Sequence, residues 1–201
     1  NYRNKLFLNL TKKTNLVFCS SYFGKKDIIK NYLNSPSEIK IIPLRFPYFE
    51  DTKFNIRKIS LSKNKKTIFF PSQYWVHKNH NLLIDLAQII KKNNKNIQII
   101  CSGNISEYRQ KDHFKNLRKK VTINKLDKVC KLKSYISRKD YLNLFINSDF
   151  IINPSLFEGW STIVEEARYY SKYIFLSDIP VHKEQKHPGS IFFNPYNVKD
   201  L

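Results

Sequence analysis

Residues 153–167, NPSLFEGWSTIVEEA, place two carboxylates eight positions apart, Glu158 and Glu166, around Gly159 and several hydroxyls. A carboxylate accepts two or more hydrogen bonds, which suits hydroxyl-rich ligands, so this pair could hold two sugar-like rings on either side of a phosphate group. Thr162 reads as a helix N-cap with Glu165 three residues on, the spacing of a capping box. The backbone N–H groups from Trp160 through Ser161 and Thr162 to Ile163 then form an anion site, which Gly159 lets a ligand approach closely. Taken alone, Glu165 and Glu166 also fit plain dipole compensation in a first helical turn. His77 and His80, three apart, raise metal binding. No third ligand is in register, so phosphate contact or packing under the loop is the better reading and no metal is expected.

These groups need a frame that aims loops and a helix start at one place, and the hydrophobic pattern supplies it. Residues 16–20 and 39–44 read as short buried strands, with a helix over 26–33 turning Ile28, Ile29, Tyr32 and Leu33 inward. A linker is expected over 43–66, where prolines, aromatics and lysines mix. Strands follow at 67–71, 97–101, 129–132, 149–153, 173–177 and 191–193. Helices are expected at 79–92, in the charged stretch running to residue 120, at 137–147 and at 162–170. Continuously apolar strands separated by helices imply right-handed crossovers and a sheet covered on both faces. The predicted fold class is α/β, a doubly wound parallel sheet. Ligands in such sheets bind beyond the carboxyl ends of the strands, and residues 153–162 fall just after one of them.

The 201 residues are 41% hydrophobic and 14% aromatic, which excludes intrinsic disorder. No apolar run approaches ~18 residues, and the first twenty residues lack a signal-peptide pattern. Cys19, Cys101 and Cys130 are too far apart for a zinc cage and suggest no disulfide framework, so a cytoplasmic setting is expected. The net charge of +20 is uneven, with +22 on residues 1–148 and −2 on residues 149–201. Such a balance points toward nucleic acid or an anionic membrane surface. Much of it reflects a bias toward Lys, Asn and Ile, residues with A/T-rich codons, and reads as a solvated face. Nucleic acid is not expected as a partner, because no RNA-binding aromatic motif, helix-turn-helix signature or glycine-rich basic tail is present. Starting at Asn1 and lacking methionine, the chain reads as a fragment, cut at both ends.

The 153–167 segment resembles the signature of the retaining family-4 glycosyltransferases, enzymes with two Rossmann-like domains facing a cleft. Their second domain carries an E-x7-E motif, PSxxEGxxxxxxEA, matched here by Pro154, Ser155, Glu158, Gly159, Glu166 and Ala167. FFPSQYWVHKNHNLLIDLA (69–87) is similar to the first strand–loop–helix of that domain in a subgroup with an H-K-N-H tetrad. LSDIPVHKEQ (176–185) is similar to the loop that follows a later strand. The resemblance implies that residues 1–60 end an acceptor-side domain and its linker, and that residues 61–201 form a Rossmann-like nucleotide-sugar donor domain, incomplete at its C-terminus.

It further implies roles. Glu166 would bond the ribose hydroxyls of a UDP- or GDP-sugar, Glu158 would contact the transferred sugar, and Lys78 would neutralise the diphosphate, Glu158 and Lys78 being the catalytic pair. The amides of Gly159, Trp160, Ser161 and Thr162 would serve sugar and phosphates, and the loop at Tyr135 and Ile136 would lie against the base. Gln73 stands where many relatives carry an arginine, so leaving-group stabilisation rests more on Lys78. The implied reaction is metal-independent hexose transfer with retention, mannosyltransferase-like, to a glycan or lipid-linked acceptor in polysaccharide synthesis. It would run in the cytoplasm, peripherally at the inner face of an anionic membrane, with no cofactor beyond the donor. The alternatives are a glycoside hydrolase, a basic surface-binding domain and a non-catalytic donor-binding homologue. A hydrolase needs carboxylates flanking the bond, and Glu166 inside a helix is badly placed for that.

Overall fold

The computed structural model describes residues 2–14, 16–32, 38–41, 56, 61, 64–106 and 110–201, so the expected linker over 43–66 lies largely outside the described residues. The chain opens with α1 (Tyr2–Lys13), β1 (Leu16–Cys19), α2 (Tyr22–Tyr32) and β2 (Glu38–Ile41), and β1 and β2 pair in parallel as a two-stranded sheet. It continues with β3 (Lys66–Pro71), α3 (His80–Lys92), β4 (Ile97–Ser102), α4 (His113–Ile123), β5 (Cys130–Lys133), α5 (Arg138–Asn147), β6 (Phe150–Asn153), α6 (Thr162–Tyr169), β7 (Ile174–Ser177), α7 (Pro180–Glu184) and β8 (Ser190–Phe193).

The second group of strands forms one parallel sheet in the order β5-β4-β3-β6-β7-β8, flanked by the helices. Strand β3 pairs with β4 on one side and with β6 on the other, Ile68 facing both Ile99 and Phe150. The chain therefore winds outward from β3 in one direction and from β6 in the other. Their following turns part and leave a crevice at the carboxyl edge. The strand residues Phe69, Phe70, Ile99, Cys101, Ile151, Ile152, Ile174 and Leu176 are all fully buried, which is why they read as unbroken apolar runs rather than alternating ones. Leu82, Leu83, Leu86, Ala87 and Ile90 give α3 one apolar face, and each fully buried leucine contributes about 1.5–3 kcal/mol.

Backbone packing at the carboxyl edge is close. A Cβ on Gly103, just after β4, would stand 2.1 Å from the carbonyl oxygen of Ser72, just after β3. Gly103→Ala is expected to lower stability by about 2–3 kcal/mol, because backbone cannot yield as a side-chain tip can. Urea denaturation reads this directly, and an unshifted midpoint would mean that the two turns do not touch.

Four elements depart from the sequence reading. Strand β1, expected to be buried, has no buried residue and leaves Phe18 58% exposed. Helix α1 was not expected, and its apolar residues Leu6, Phe7 and Leu10 all remain exposed and form no core-facing stripe. Helix α2 begins at Tyr22 rather than 26, and Ile29 points outward instead of inward; Leu33 lies outside the described residues. Residues 180–184, expected as a loop, form the short helix α7, started by Pro180 in its first turn.

Candidate functional site

The turn after β3 is pinned before it reaches the crevice. Tyr74 is fully buried and its hydroxyl donates to the Lys133 carbonyl at the end of β5, 2.7 Å away. Gln73 lies exposed beside it. A 3-10 turn over Val76–Lys78 ends at Asn79, whose φ of 59° is left-handed, a conformation that asparagine tolerates better than most residues. The Asn79 amide donates to the carbonyls of Pro154 (3.2 Å) and Pro195 (3.0 Å), and Leu156 N–H donates to the His77 carbonyl (2.8 Å). The turns after β3 and β6 are thus stitched together across the switch point. Between them Lys78 Nζ meets Glu158 Oε1 at 2.6 Å, with side chains only 14% and 9% exposed.

His80, first residue of α3, is not available to a phosphate. It is 1% exposed, packs against the rings of Tyr74 (4.5 Å) and Phe70 (4.8 Å), and neither ring nitrogen has a partner among the described residues. Burial first, then the His113 and Lys78 charges, push its pKa down to about 3. The unfolded chain takes up the proton near pH 6.5, so this imidazole's share of stability is intact above that pH and is lost as pH falls toward 3. By pH 4.5 the loss reaches about 3 kcal/mol. His80→Leu is expected to flatten the acid side of the stability–pH curve. An unchanged curve would show that the imidazole finds a partner. Among the described residues no group of three or more His, Cys, Asp or Glu is placed to hold a metal ion.

The turn after β6 carries the acidic half of the site. Gly159 is exposed, Trp160 is half-buried with its indole Nε1 enclosed and without a partner among the described residues, and α6 opens at Thr162. The expected cap is displaced by one residue, since Ser161 and not Thr162 is the N-cap, and no side chain caps the helix. The Ser161 hydroxyl instead accepts from the Asn153 amide at 2.9 Å. Glu165 does not reach back as a capping box requires, but pairs with Arg168 and accepts from Gln185. Gln185 takes over that role, accepting from Ser161 N–H and donating to its carbonyl, both at 2.9 Å. The amides of Thr162 and Ile163 therefore open α6 with no side-chain cap, and the helix dipole adds partial positive charge there.

Glu166 stands apart from the Lys78–Glu158 pair. Arg138 Nη1 donates to its Oε1 at 2.9 Å, and the Tyr141 hydroxyl donates to its Oε2. Burial, and then the Glu166 charge, raise the Tyr141 phenol well above its usual range, so it stays a donor. Arg138 lies over the Tyr141 ring, 4.8 Å from its centre. Neither residue was expected at the site from the sequence. Their i, i+3 spacing on α5 was visible, but their common target lies 28 and 25 residues away. Ile136 packs half-buried against the core in the loop before α5, and Tyr135 is 80% exposed.

His182, one of whose readings was a solvent-facing loop residue, is fully buried under the crevice. Burial holds its pKa below the ordinary histidine value, although a bond to Ser177 and the Glu158 charge pull upward. Next to it, the Glu184 carboxylate accepts the N–H groups of Tyr22 (2.7 Å) and Phe23 (2.6 Å) at the start of α2, and Ser20 Oγ donates to the Gly159 carbonyl (3.2 Å). A cleft of about 540 Å³ opens between these segments, lined by Phe18, Cys19, Ser20, Asp27, Phe157 and Gly159.

A profile of the family described as glycosyl transferases group 1 matches residues 51–201. No curated protein matches the chain. Among solved structures, a glycosyltransferase from Rickettsia africae shares 20% identity at a TM-score of 0.72, over 100% of this chain and 54% of its own. HepE from Anabaena, in complex with UDP-glucose, shares 16% identity at a TM-score of 0.77, over 98% and 54%. Sucrose-phosphate synthase from Thermosynechococcus elongatus shares 14% at 0.76, over 99% and 50%. The chain spans about half the length of these structures, and at such identities the likeness speaks for the fold. The family match, by contrast, takes in the whole six-stranded sheet and both turns at its switch point, and the chain belongs to the glycosyl transferases group 1.

Proposed function

We propose that the chain carries the donor site of a retaining glycosyltransferase, which moves a hexose from a UDP- or GDP-sugar to a glycan or lipid-linked acceptor. The observation that carries this reading is the buried Lys78–Glu158 pair set against the uncapped start of α6. The donor diphosphate lies between the Lys78 ammonium and the amides around Thr162, and Glu166 takes the ribose hydroxyls while braced by Arg138 and Tyr141. Glu158 holds hydroxyls of the transferred sugar. As the anomeric C–O bond breaks, negative charge grows on the departing diphosphate, where Lys78 and the helix start already point. Their contribution is electrostatic preorganisation, without a metal. Gly159 and Trp160 line the sugar's approach, and Gln73 and Ile136 flank the nucleotide.

The acceptor enters through the cleft beside Phe18, Asp27 and Phe157, with residues 1–60 belonging to the acceptor-side lobe. The H-K-N-H tetrad favours a branch that transfers mannose or glucose, with polysaccharide synthesis as the setting. No helix among the described residues is long and apolar enough to cross a membrane. Peripheral contact with anionic lipid rests on α4, which turns Lys115, Arg118, Lys119 and Lys120 outward next to Ile123, 66% exposed.

The test is thermal stabilisation by a panel of UDP-, GDP- and ADP-hexoses, followed by NMR of the anomeric proton in the product or in slowly hydrolysed donor. One nucleotide class should stabilise the protein, and the released sugar should keep its configuration. Cleavage of a neutral glycoside with no response to any nucleotide sugar would overturn the proposal in favour of a hydrolase.

A further inference from the structure

Beneath the Lys78–Glu158 pair lie five polar residues, Asn153, Ser155, Ser161, Ser177 and His182, all at most 3% exposed. Burying so many polar groups is costly unless each is satisfied, and a satisfied network becomes rigid. Its hydrogen bonds run in one direction only. The Asn153 carbonyl oxygen accepts from Ser155 Oγ (2.7 Å) and Ser155 N–H (3.3 Å), which fixes the amide orientation. Asn153 Nδ2 must then be the donor to Ser161 Oγ (2.9 Å), His182 Nε2 (3.3 Å) and Glu158 Oε1 (3.4 Å). His182 Nε2 is therefore the unprotonated nitrogen, and its Nδ1–H is shared between the Ser177 carbonyl and Ser177 Oγ, both at 3.0 Å. Ser177 Oγ closes the set by donating to the Ser155 carbonyl at 2.5 Å.

We propose that His182 is a positioning residue which, through Asn153, sets the place of the Glu158 carboxylate, the group assigned to the transferred sugar. Two N–H bonds serve three acceptors, so the imidazole nitrogen decides how the Asn153 amide is shared between Glu158 and Ser161. This rests on the glycosyltransferase reading, and it predicts a role confined to the sugar end of the donor. The nucleoside end is held by Glu166, with Arg138 and Tyr141 bonded to its two carboxylate oxygens.

Two substitutions separate the role from simple packing. His182→Asn keeps a group near the Nδ1 position for the Ser177 carbonyl and loses the acceptor for Asn153. His182→Gln restores an acceptor near the Nε2 position. Calorimetry uses UDP-glucose with UDP, and GDP-mannose with GDP, taking the pair that the parent binds. His182→Asn should weaken the nucleotide sugar by about tenfold and leave the nucleotide unchanged, and His182→Gln should restore most of the loss. Asn153→Asp, which removes the shared donor, should reproduce the effect, and the double variant Asn153→Asp, His182→Asn should add little to either alone. Equal losses for sugar nucleotide and nucleotide, identical behaviour of the Asn and Gln variants, or additive single effects would overturn the proposal. A parent that binds none of the four ligands would instead remove the donor-site reading, and the inference with it.

Discussion

Lys78→Ala is expected to weaken binding of a nucleoside diphosphate roughly 10- to 100-fold, the range of a charge-assisted contact, and to destabilise the fold at the same time. The two effects have one origin. Lys78 and Glu158 form an ion pair in a site where both side chains are nearly buried, so deleting the ammonium strands a carboxylate. Removing one partner of such a pair costs about 3–5 kcal/mol. The double variant Lys78→Ala, Glu158→Gln relieves the stranded charge and should recover most of the stability, because a neutral amide is cheaper to bury. It should not recover the affinity, since the diphosphate still lacks its cation. Thermal or urea unfolding beside calorimetry reads both quantities. Recovery of affinity along with stability would show that Lys78 matters to the fold and not to the phosphates.

Glu166→Ala should produce a loss of similar size, roughly 10- to 100-fold by the same range for charge-assisted bonds, but at the other end of the ligand. Glu166 is held by Arg138 and the protonated Tyr141 hydroxyl, so its carboxylate is oriented before any ligand arrives. Orientation in advance lowers the entropic cost of binding. Nucleoside, monophosphate and diphosphate should all weaken by the same factor in Glu166→Ala, whereas in Lys78→Ala the loss should grow with the number of phosphates. Glu166→Gln, which keeps an acceptor for Arg138 but not the charge, should fall between the variant and the parent. Titrations of the three ligands against both variants give the pattern, and interchange of the two profiles would reverse the assignment of the sites.

The parallel sheet was legible because its strands are buried on both faces and so appear as unbroken apolar runs, as at Phe69–Phe70 and Ile151–Ile152. Helix α3 was legible because Leu82, Leu83, Leu86 and Ile90, all buried, repeat on one face. Helix α1 was missed although Leu6, Phe7 and Leu10 repeat at helical spacing, and in the fold all three stay exposed rather than forming a core-facing stripe. Helix α7 was missed because five residues are too few for a helical period, and Pro180 reads equally as a turn. At the site, local spacing located the β6 turn and the helix behind it but misplaced the cap by one residue. A capping box is a local pattern, whereas the Ser161 hydroxyl is claimed by Asn153, eight residues earlier, and its N–H by Gln185, twenty-four residues later. The same holds for Arg138, Tyr141 and His182, whose parts are defined by partners that only the folded sheet brings near.

Calorimetric titration of the protein with UDP, GDP and ADP, at low and at moderate salt, addresses the donor site most directly. A built site should bind one nucleotide selectively, keep most of that affinity in moderate salt because Lys78 and Glu166 are shielded from solvent, and lose it in Glu166→Ala. Binding of all three nucleotides alike, vanishing with salt and indifferent to Glu166→Ala, would contradict the account and leave only a basic surface attracting phosphates.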